Sequence, residues 1–583
     1  MSNIKTIAII GIGPRGLAAL EALYIAKQEK ALKTKLNVLL FEEAAYPGAG
    51  KIWSPQQVVT NLSNISERHL SAGLHGRPEI RFDNLYIASF PGYQEWITTD
   101  ADEIKTAAVD YFPPRAKLGA YLNARFESIK NALLGADCIT LITNNVTHVE
   151  TTATGCLITD AAQKTHYADE VVLTIGHQAT QLSDQLKAWE KHTKEFSHLK
   201  LYKDPYPVGA LETETITPDA VVALRGFGLS MVDQVRALTL GFEGSFTNSE
   251  NGLKFKYHPS ATAPKKLIVF SLDGLPPAPK PVNSAIDNWF EPTVDEITHF
   301  RDELDSALKN PELIKDATFL IKALVTLTAS VFKRLAHKAR YYSSDETYLE
   351  SLVETIIRKP ETRHSLVLDQ NLPALDQMQM LLEMAFGKQK ISLDYCLGQV
   401  WRYALGILYH DYTHLDISDV AMIDIVSYIE ASKRYSYGPP VESLQQLIAV
   451  AEAGILNLDF VKNPEIKLTP QGWQIFKNGK ASTANVMVNS VIDPPQLIAV
   501  NSPVIQHLLD DRKVDAVSYK LGLHTLQDGR IISSAGNSNQ HIALLGRLAK
   551  GSVIGVDDLI ECFGEPAKKW AEGVLNRTAK KEI

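Results

Sequence analysis

Four consecutive apolar residues, Ile7 to Ile10, run without a break into Gly11-Ile12-Gly13-Pro14-Arg15-Gly16. A run of this kind reads as a buried strand, and the glycine spacing after it marks the turn into a helix that opens a dinucleotide-binding βαβ unit. Gly11 permits the tight turn, Gly13 leaves room for a diphosphate against the backbone, and Gly16 lets the helix pack closely on the strand. The helix expected from about Arg15 to Gln28, with Pro14 and Arg15 at its start, directs free N–H groups and the positive end of its dipole at the phosphates. A second buried strand over Leu36–Phe41 ends in Glu42, an acid placed to accept hydrogen bonds from a ribose diol.

The pattern returns once. Ala220–Leu224 reads as a strand entering Arg225-Gly226-Phe227-Gly228-Leu229-Ser230-Met231, with a helix to about Leu240. Gly226 and Gly228 repeat the turn, Ser230 can donate to a phosphate, and Met231 replaces the third glycine, which sets helix and strand slightly farther apart. Two such units in one chain suit FAD together with a nicotinamide cofactor, NAD(P)H.

Between them lie a glycine-rich loop, Pro47-Gly48-Ala49-Gly50-Lys51-Ile52-Trp53, in which Trp53 stacks or packs, and the polar turn Thr60–Asn64 containing Asn61. Arg68-His69 is expected in a loop, and Pro113-Pro114-Arg115 leads into a helix carrying Gly119, Tyr121 and Leu122. Cys138–Ile158 alternates like a β-meander, and Val171–Gly176 is a further buried strand ending in glycine and followed by His177. From about Asn283 to Glu452 the texture is helical, with capping boxes at Thr293–Glu296 and Ser343–Glu346 and the apolar stripe Phe319, Leu320, Ala323, Leu324, Leu327. Beta texture resumes over Ile466–Phe476 and Asn485–Val491. Ile542–Leu545 then forms a last buried strand ending at Gly546-Arg547, ahead of a helix over Val556–Phe563.

At 583 residues the chain is too long for one core. The expected architecture is α/β, two Rossmann-like dinucleotide-binding folds with a large helical insertion. Residues 1–205, completed by 493–583, form the FAD fold; 206–282, completed by 465–492, form the NAD(P) fold; 283–464 form the insertion. The net charge of -8, with no long Lys/Arg run, argues against nucleic acid or an anionic membrane as partner. Four scattered cysteines read as free thiols, and no uncharged stretch is long enough to span a bilayer, so a cytoplasmic location is expected.

These residues carry a family resemblance. The chain resembles the bacterial FAD/NAD(P)-binding proteins that include nitrosuccinate-forming aspartate N-monooxygenases and flavin-dependent urate hydroxylases. The matching stretches are Gly11–Leu17, Pro47–Gly50 with Trp53, Asn61, Pro114-Arg115 with Gly119 and Tyr121-Leu122, Arg225–Ser230, Gly438-Pro439-Pro440, and Cys562-Phe563-Gly564 with Trp570. The resemblance implies FAD in the first fold, with Glu42 on the adenosine ribose, Arg115 near the cofactor and backbone around Val146 clamping the adenine; it implies NAD(P)H in the second. The chain departs from the family pattern at Thr174-Ile175-Gly176, where Ala-Thr-Gly is commoner, and at Arg547, where many flavoproteins carry Asp against the ribityl chain. It also departs at Gly241-Phe242-Glu243-Gly244, where Gly-Arg-Gly-Gly is frequent, which leaves NADPH against NADH open.

The leading expectation is a flavin monooxygenase that uses NAD(P)H and O₂ to oxygenate a small molecule, an amino-acid amine or a purine-like heterocycle; a flavin reductase or oxidase, or a non-catalytic nucleotide-binding scaffold, are the alternatives. An amino-acid substrate needs a cation for its carboxylate, and Arg68 is the candidate by position, with a surface salt bridge as the plain alternative. His410 and His414 stand at i and i+4, a spacing that can hold zinc on one helical face. Asp411 stands where the metalloprotease pattern has Glu and no third ligand is near, so no metal is expected.

Overall fold

The computed structural model describes residues 4–579 apart from 83–84, 212–215, 249–251, 341–344, 494–495, 512, 519 and 534–535. Strand β1 (Ile4–Ile10) leads into helix α1 (Pro14–Glu29), and β2 (Lys35–Phe41) returns parallel to β1, with Ile7 opposite Val38 and Ile10 opposite Phe41. Ile7, Ala8 and Ile9 are fully buried, because helices and loops cover both faces of a parallel sheet and leave no polar side for alternation. Helices α2 (Glu67–Gly73) and α3 (Arg115–Gly135) follow, and β3 (Glu170–Leu173) pairs with the other edge of β1.

The finished sheet runs 530–532, 538–544, β3, β1, β2, 139–142, parallel throughout except for the antiparallel edge pair 530–532/538–544. The expected meander over Cys138–Ile158 divides. Ile139–Ile142 joins the parallel sheet beside β2, and a separate antiparallel sheet of 146–151, 156–160 and 165–168 leads back into β3.

A second sheet repeats the plan. Strand β4 (Val221–Arg225) enters helix α4 (Leu229–Thr239) and lies between 266–270 and 486–489, in the order 200–202, 486–489, β4, 266–270, 456–457, all parallel. Strands 200–202 and 456–457 therefore belong to this sheet although they lie outside the boundaries 206–282 and 465–492 expected for the second fold. Ile466–Phe476 resolves into two strands of a three-stranded antiparallel sheet, 465–469, 472–477 and 480–484, that feeds 486–489 as the 146–168 sheet feeds β3.

The fold is mixed α/β with a large helical region. Within that region the capping box at Thr293 forms both bonds, Glu296 N to Thr293 Oγ1 at 3.2 Å and Thr293 N to Glu296 Oε2 at 2.7 Å. Ser343 lies outside the described residues, and Asp345 caps the helix Glu346–Arg358 through Tyr348 N. The stripe Leu320, Ala323, Leu324, Leu327 is buried in the core that also holds Val222 and Leu224 of β4, so this region packs on the second sheet. The helix expected over Val556–Phe563 shrinks to a 3-10 turn at Ile560–Phe563. Helix α5 (Glu565–Ala579) instead returns to pack against α1, with Trp570 1% exposed.

Candidate functional site

The first glycine turn leaves the sheet at the end of β1, where β2 lies on one side and β3 on the other, the switch point at which open α/β sheets bind ligands. Gly11 has φ +90, and a Cβ on Gly16 would stand 2.2 Å from the Gly11 carbonyl oxygen, so both positions are closed to larger residues. Gly13 differs: a Cβ there would meet nothing nearer than Gly50 Cα at 3.9 Å. Gly13 is also the N-cap of α1 and offers no capping side chain, so the first N–H groups of the helix face this open cradle. The loop carrying Gly48 and Gly50, both at positive φ, lies over the turn, with Gly48 N donating to Ile12 O.

Glu42 is held at the rim, its Oε2 accepting from Ile12 N at 2.7 Å and its Oε1 from Ala44 N at 2.8 Å. Gly176, at φ +64, opens onto space, and Val146 packs at the edge of the core containing Phe41. Arg15 turns away from the cradle: its guanidinium reaches the carbonyls of Gly555, Val556 and Glu561, each at 3.4 Å, and its stem crosses Gly546, where a Cβ would stand 2.7 Å from Arg15 Cδ. Arg15 and Gly546 thus fasten the C-terminal segment over the first fold. Arg547 pairs with Asp557 and donates to Asp493 O at 3.2 Å.

Trp53, Asn61 and Arg115 come together from three segments. Asn61 is fully buried; its Nδ2 donates to Gln57 Oε1 at 2.6 Å, while its Oδ1 and the neighbouring Thr60 Oγ1 have no protein partner. Arg115 N donates to Asn61 O at 2.9 Å and its Nε to Leu62 O at 3.2 Å; its guanidinium lies 5.9 Å from the Trp53 ring centre. A cradle open at Gly13, an uncapped helix and unsatisfied buried polar atoms in the adjoining loop are what a diphosphate and a polar ring system would fill.

The second turn repeats the first. Gly226 is at φ +125 against Ser490, Gly228 caps α4 without a side-chain bond, and a Cβ on Gly228 would meet nothing within 4 Å. Met231, in place of the third glycine, is fully buried in the same core as Val222 and Leu224, so its side chain fills the space between helix and strand. Ser230 is buried and faces the Tyr206 hydroxyl. Sequence reasoning missed Asp233, one turn further on, whose Oδ2 accepts from Tyr206 Oη at 2.7 Å and Arg115 Nη2 at 3.0 Å. Burial raises the Asp233 carboxyl pKa above the ordinary value, against the pull of Arg115 and Tyr206.

Arg68 and His69 lie on α2, capped by Ser66, and not in a loop. Arg68 donates to Asp110 Oδ2 at 2.8 Å and to Asp287 Oδ2 at 3.0 Å, and Arg402 also pairs with Asp287. Burial alone would raise the Asp287 carboxyl; Arg402 and Arg68 reverse this and hold it below its usual value. The charge of Arg68 is therefore balanced within the protein. Burial, with Arg68 and Arg402 beside it, lowers the pKa of His69 to about 3, so the imidazole is neutral. Nearby, Lys280 Nζ donates to the Asn64 carbonyl, and among the described residues no carboxylate pairs with it; burial pulls its pKa down to about 8. His177 is exposed and lies beside Arg547.

His410 and His414 do not share a helical face. Their helix ends at Asp411, and His414 sits at φ +53 with its Nε2 on Thr525 Oγ1 at 3.2 Å. No helix among the described residues is long and apolar enough to cross a membrane.

Residues 8–178 match the model of an FAD-NAD(P)-binding family. A nitrosuccinic acid synthase from Aspergillus oryzae is 24% identical over 94% of this chain and 88% of its own length. An L-aspartate N-monooxygenase (nitrosuccinate-forming) from Streptomyces davaonensis is 29% identical over 45% of this chain and 42% of its own. The similar proteins thus include a fungal nitrosuccinic acid synthase as well as bacterial L-aspartate N-monooxygenases. Among solved structures, a triple mutant of cyclohexanone monooxygenase from Rhodococcus bound to NADP+ aligns with 99% of this chain and 87% of its own, at 12% identity and a TM-score of 0.45.

Proposed function

We propose that this chain is an FAD- and NAD(P)H-dependent monooxygenase that oxygenates the amine of a small amino acid. The observation that carries the reading is the pair of glycine turns, each at the switch point of a parallel sheet and each followed by a helix capped by a bare glycine. One such turn suffices for a single nucleotide. Two turns joined through Arg115 and Asp233 suit hydride transfer between two cofactors. The similarity to L-aspartate N-monooxygenases supports an amino acid as substrate.

In this reading the fold containing Gly11, Gly13, Gly16, Glu42, Gly176 and Gly546 holds FAD, with Trp53, Asn61 and Arg115 along its edge. Gly226, Gly228 and Ser230 hold the diphosphate of NAD(P)H. FAD supplies the electron transfer and oxygen activation that no side chain can. The balance is R–NH₂ + O₂ + NAD(P)H + H⁺ → R–NHOH + NAD(P)⁺ + H₂O. The chain's own part is to bind, orient and exclude water. Because Asp110 and Asp287 already neutralise Arg68, the substrate carboxylate falls to Lys280, a half-buried ammonium with a backbone carbonyl as partner, for which an incoming anion replaces lost hydration.

Purified protein should be yellow and bleach under NADPH or NADH without oxygen. In air, aspartate and related amino acids should stimulate NAD(P)H oxidation with matching hydroxylated product. Peroxide in full stoichiometry with every amino acid tried would overturn the monooxygenase reading.

A further inference from the structure

Helix α4 carries ionic groups where a helix normally carries apolar ones. Every residue from Ser230 to Thr239 is buried, and Asp233 and Arg236 are 6% and 5% exposed. Burying an ion costs several kcal/mol unless its partners are well placed, so both need specific anchors. Each has an anchor on the first fold, in addition to Gln446 for Arg236 and Tyr206 for Asp233. Arg236 Nε donates to Thr60 O at 2.8 Å, and Asp233 takes Arg115, which itself holds the carbonyls of Asn61 and Leu62. One helix of the second fold thus grips three successive residues of a first-fold loop.

That loop stands close to the first cradle. Gly50 lies against Gly13, and a Cβ on Gly119, one turn along α3 from Arg115, would stand 1.6 Å from the Trp53 carbonyl oxygen. The segment 47–53 is therefore clamped between the Gly13 turn and the helix that Arg115 begins. On the other side, Tyr206 joins Asp233 to Ser230 at the second turn. A continuous polar path runs Ser230, Tyr206, Asp233, Arg115, Leu62.

We propose that Asp233 is a positioning residue for the reaction: its carboxylate, held by Tyr206, orients Arg115 and offsets its positive charge, and so sets the electrostatic environment of the cofactor in the first fold. This rests on the function proposed above, in that FAD occupies that fold. A cation favours the extra negative charge of a reduced ring and a carboxylate opposes it, so the two residues act with opposite sign on one equilibrium.

The test is a dye-coupled redox titration of the FAD-loaded protein, without NAD(P)H or amino acid. FAD loading and bleaching of the unaltered protein are read first and belong to the function proposed above; the differences between variants belong to Asp233. Asp233→Asn keeps the shape and loses the charge, and should favour reduced FAD by about tenfold, an upward shift of about 30 mV for a two-electron couple. In an Arg115→Gln background, where burial without the neighbouring cation favours the protonated, uncharged Asp233, the same substitution should have little effect. An unchanged potential in Asp233→Asn, or the same shift with and without Arg115, would overturn the proposal.

Discussion

The glycines of the first turn differ in what they exclude. Gly16 keeps a Cβ away from backbone 2.2 Å distant, whereas Gly13 keeps one out of open space. Gly16→Ala should therefore destabilise the protein by about 1–3 kcal/mol even without cofactor, since the carbonyl it meets cannot rotate away. Gly13→Ala should leave the denaturation midpoint of the FAD-free protein unchanged and weaken FAD binding at least about tenfold, about 1.4 kcal/mol, measured by fluorescence titration. Equal destabilisation by both would mean that Gly13 serves packing alone. Lys280 is the other residue with a separable role. Lys280→Met should raise KM for the amino acid by about 10- to 100-fold, the worth of one charge-assisted hydrogen bond, with a smaller effect on FAD reduction by NAD(P)H. The roles of the glycines were legible in the sequence because turn geometry is local. That of Lys280 was not, because its isolation depends on which carboxylates distant segments bring to Arg68 and Arg402.

At the scale of elements, β1, α1, β2 and the second strand-turn-helix were readable from periodicity and glycine spacing, as was the Thr293 capping box. The ends were less so. Val556–Phe563 carries a helical pattern but spends most of its length as a strap, because Arg15 takes the carbonyls of Gly555, Val556 and Glu561. The helix that does form, α5, is joined to the sheet through Glu170 of β3. That carboxylate accepts from Lys5 Nζ at 2.5 Å and from Arg577 Nη2 at 2.6 Å. Glu170→Ala would leave two cations facing each other at a buried seam, and should cost about 3–5 kcal/mol in chemical denaturation. Glu170→Gln should cost less, since its amide oxygen still accepts. A loss under about 1 kcal/mol in the alanine variant would show that the seam is wetter than the geometry implies.

Across the whole molecule, the first fold is completed by the end of the chain and joined to the second through buried ions, so a ligand in one cradle stabilises more than its own lining. FAD at about 100 times its Kd should add about 2.7 kcal/mol to the stability of the cofactor-free protein and raise its melting temperature. If α4 couples the two folds, that rise should appear in a single transition covering both sheets, as followed by near-ultraviolet circular dichroism. Two transitions, of which FAD moves one, would show that the Arg115–Asp233 and Arg236–Thr60 contacts do not bind the folds into one cooperative unit.

The amino-acid sequence by itself determined the two nucleotide turns, the α/β class and the helical character of the middle of the chain, because each follows from interactions among residues a few positions apart. The tertiary structure alone decided that Arg68 is neutralised by Asp110 and Asp287, that His414 leaves the helix of His410, and that Asp233 meets Arg115 across 118 positions. Charge pairing is a matter of distance in space, and nothing in the spacing of an Asp along one helix records which guanidinium another fold will lay against it.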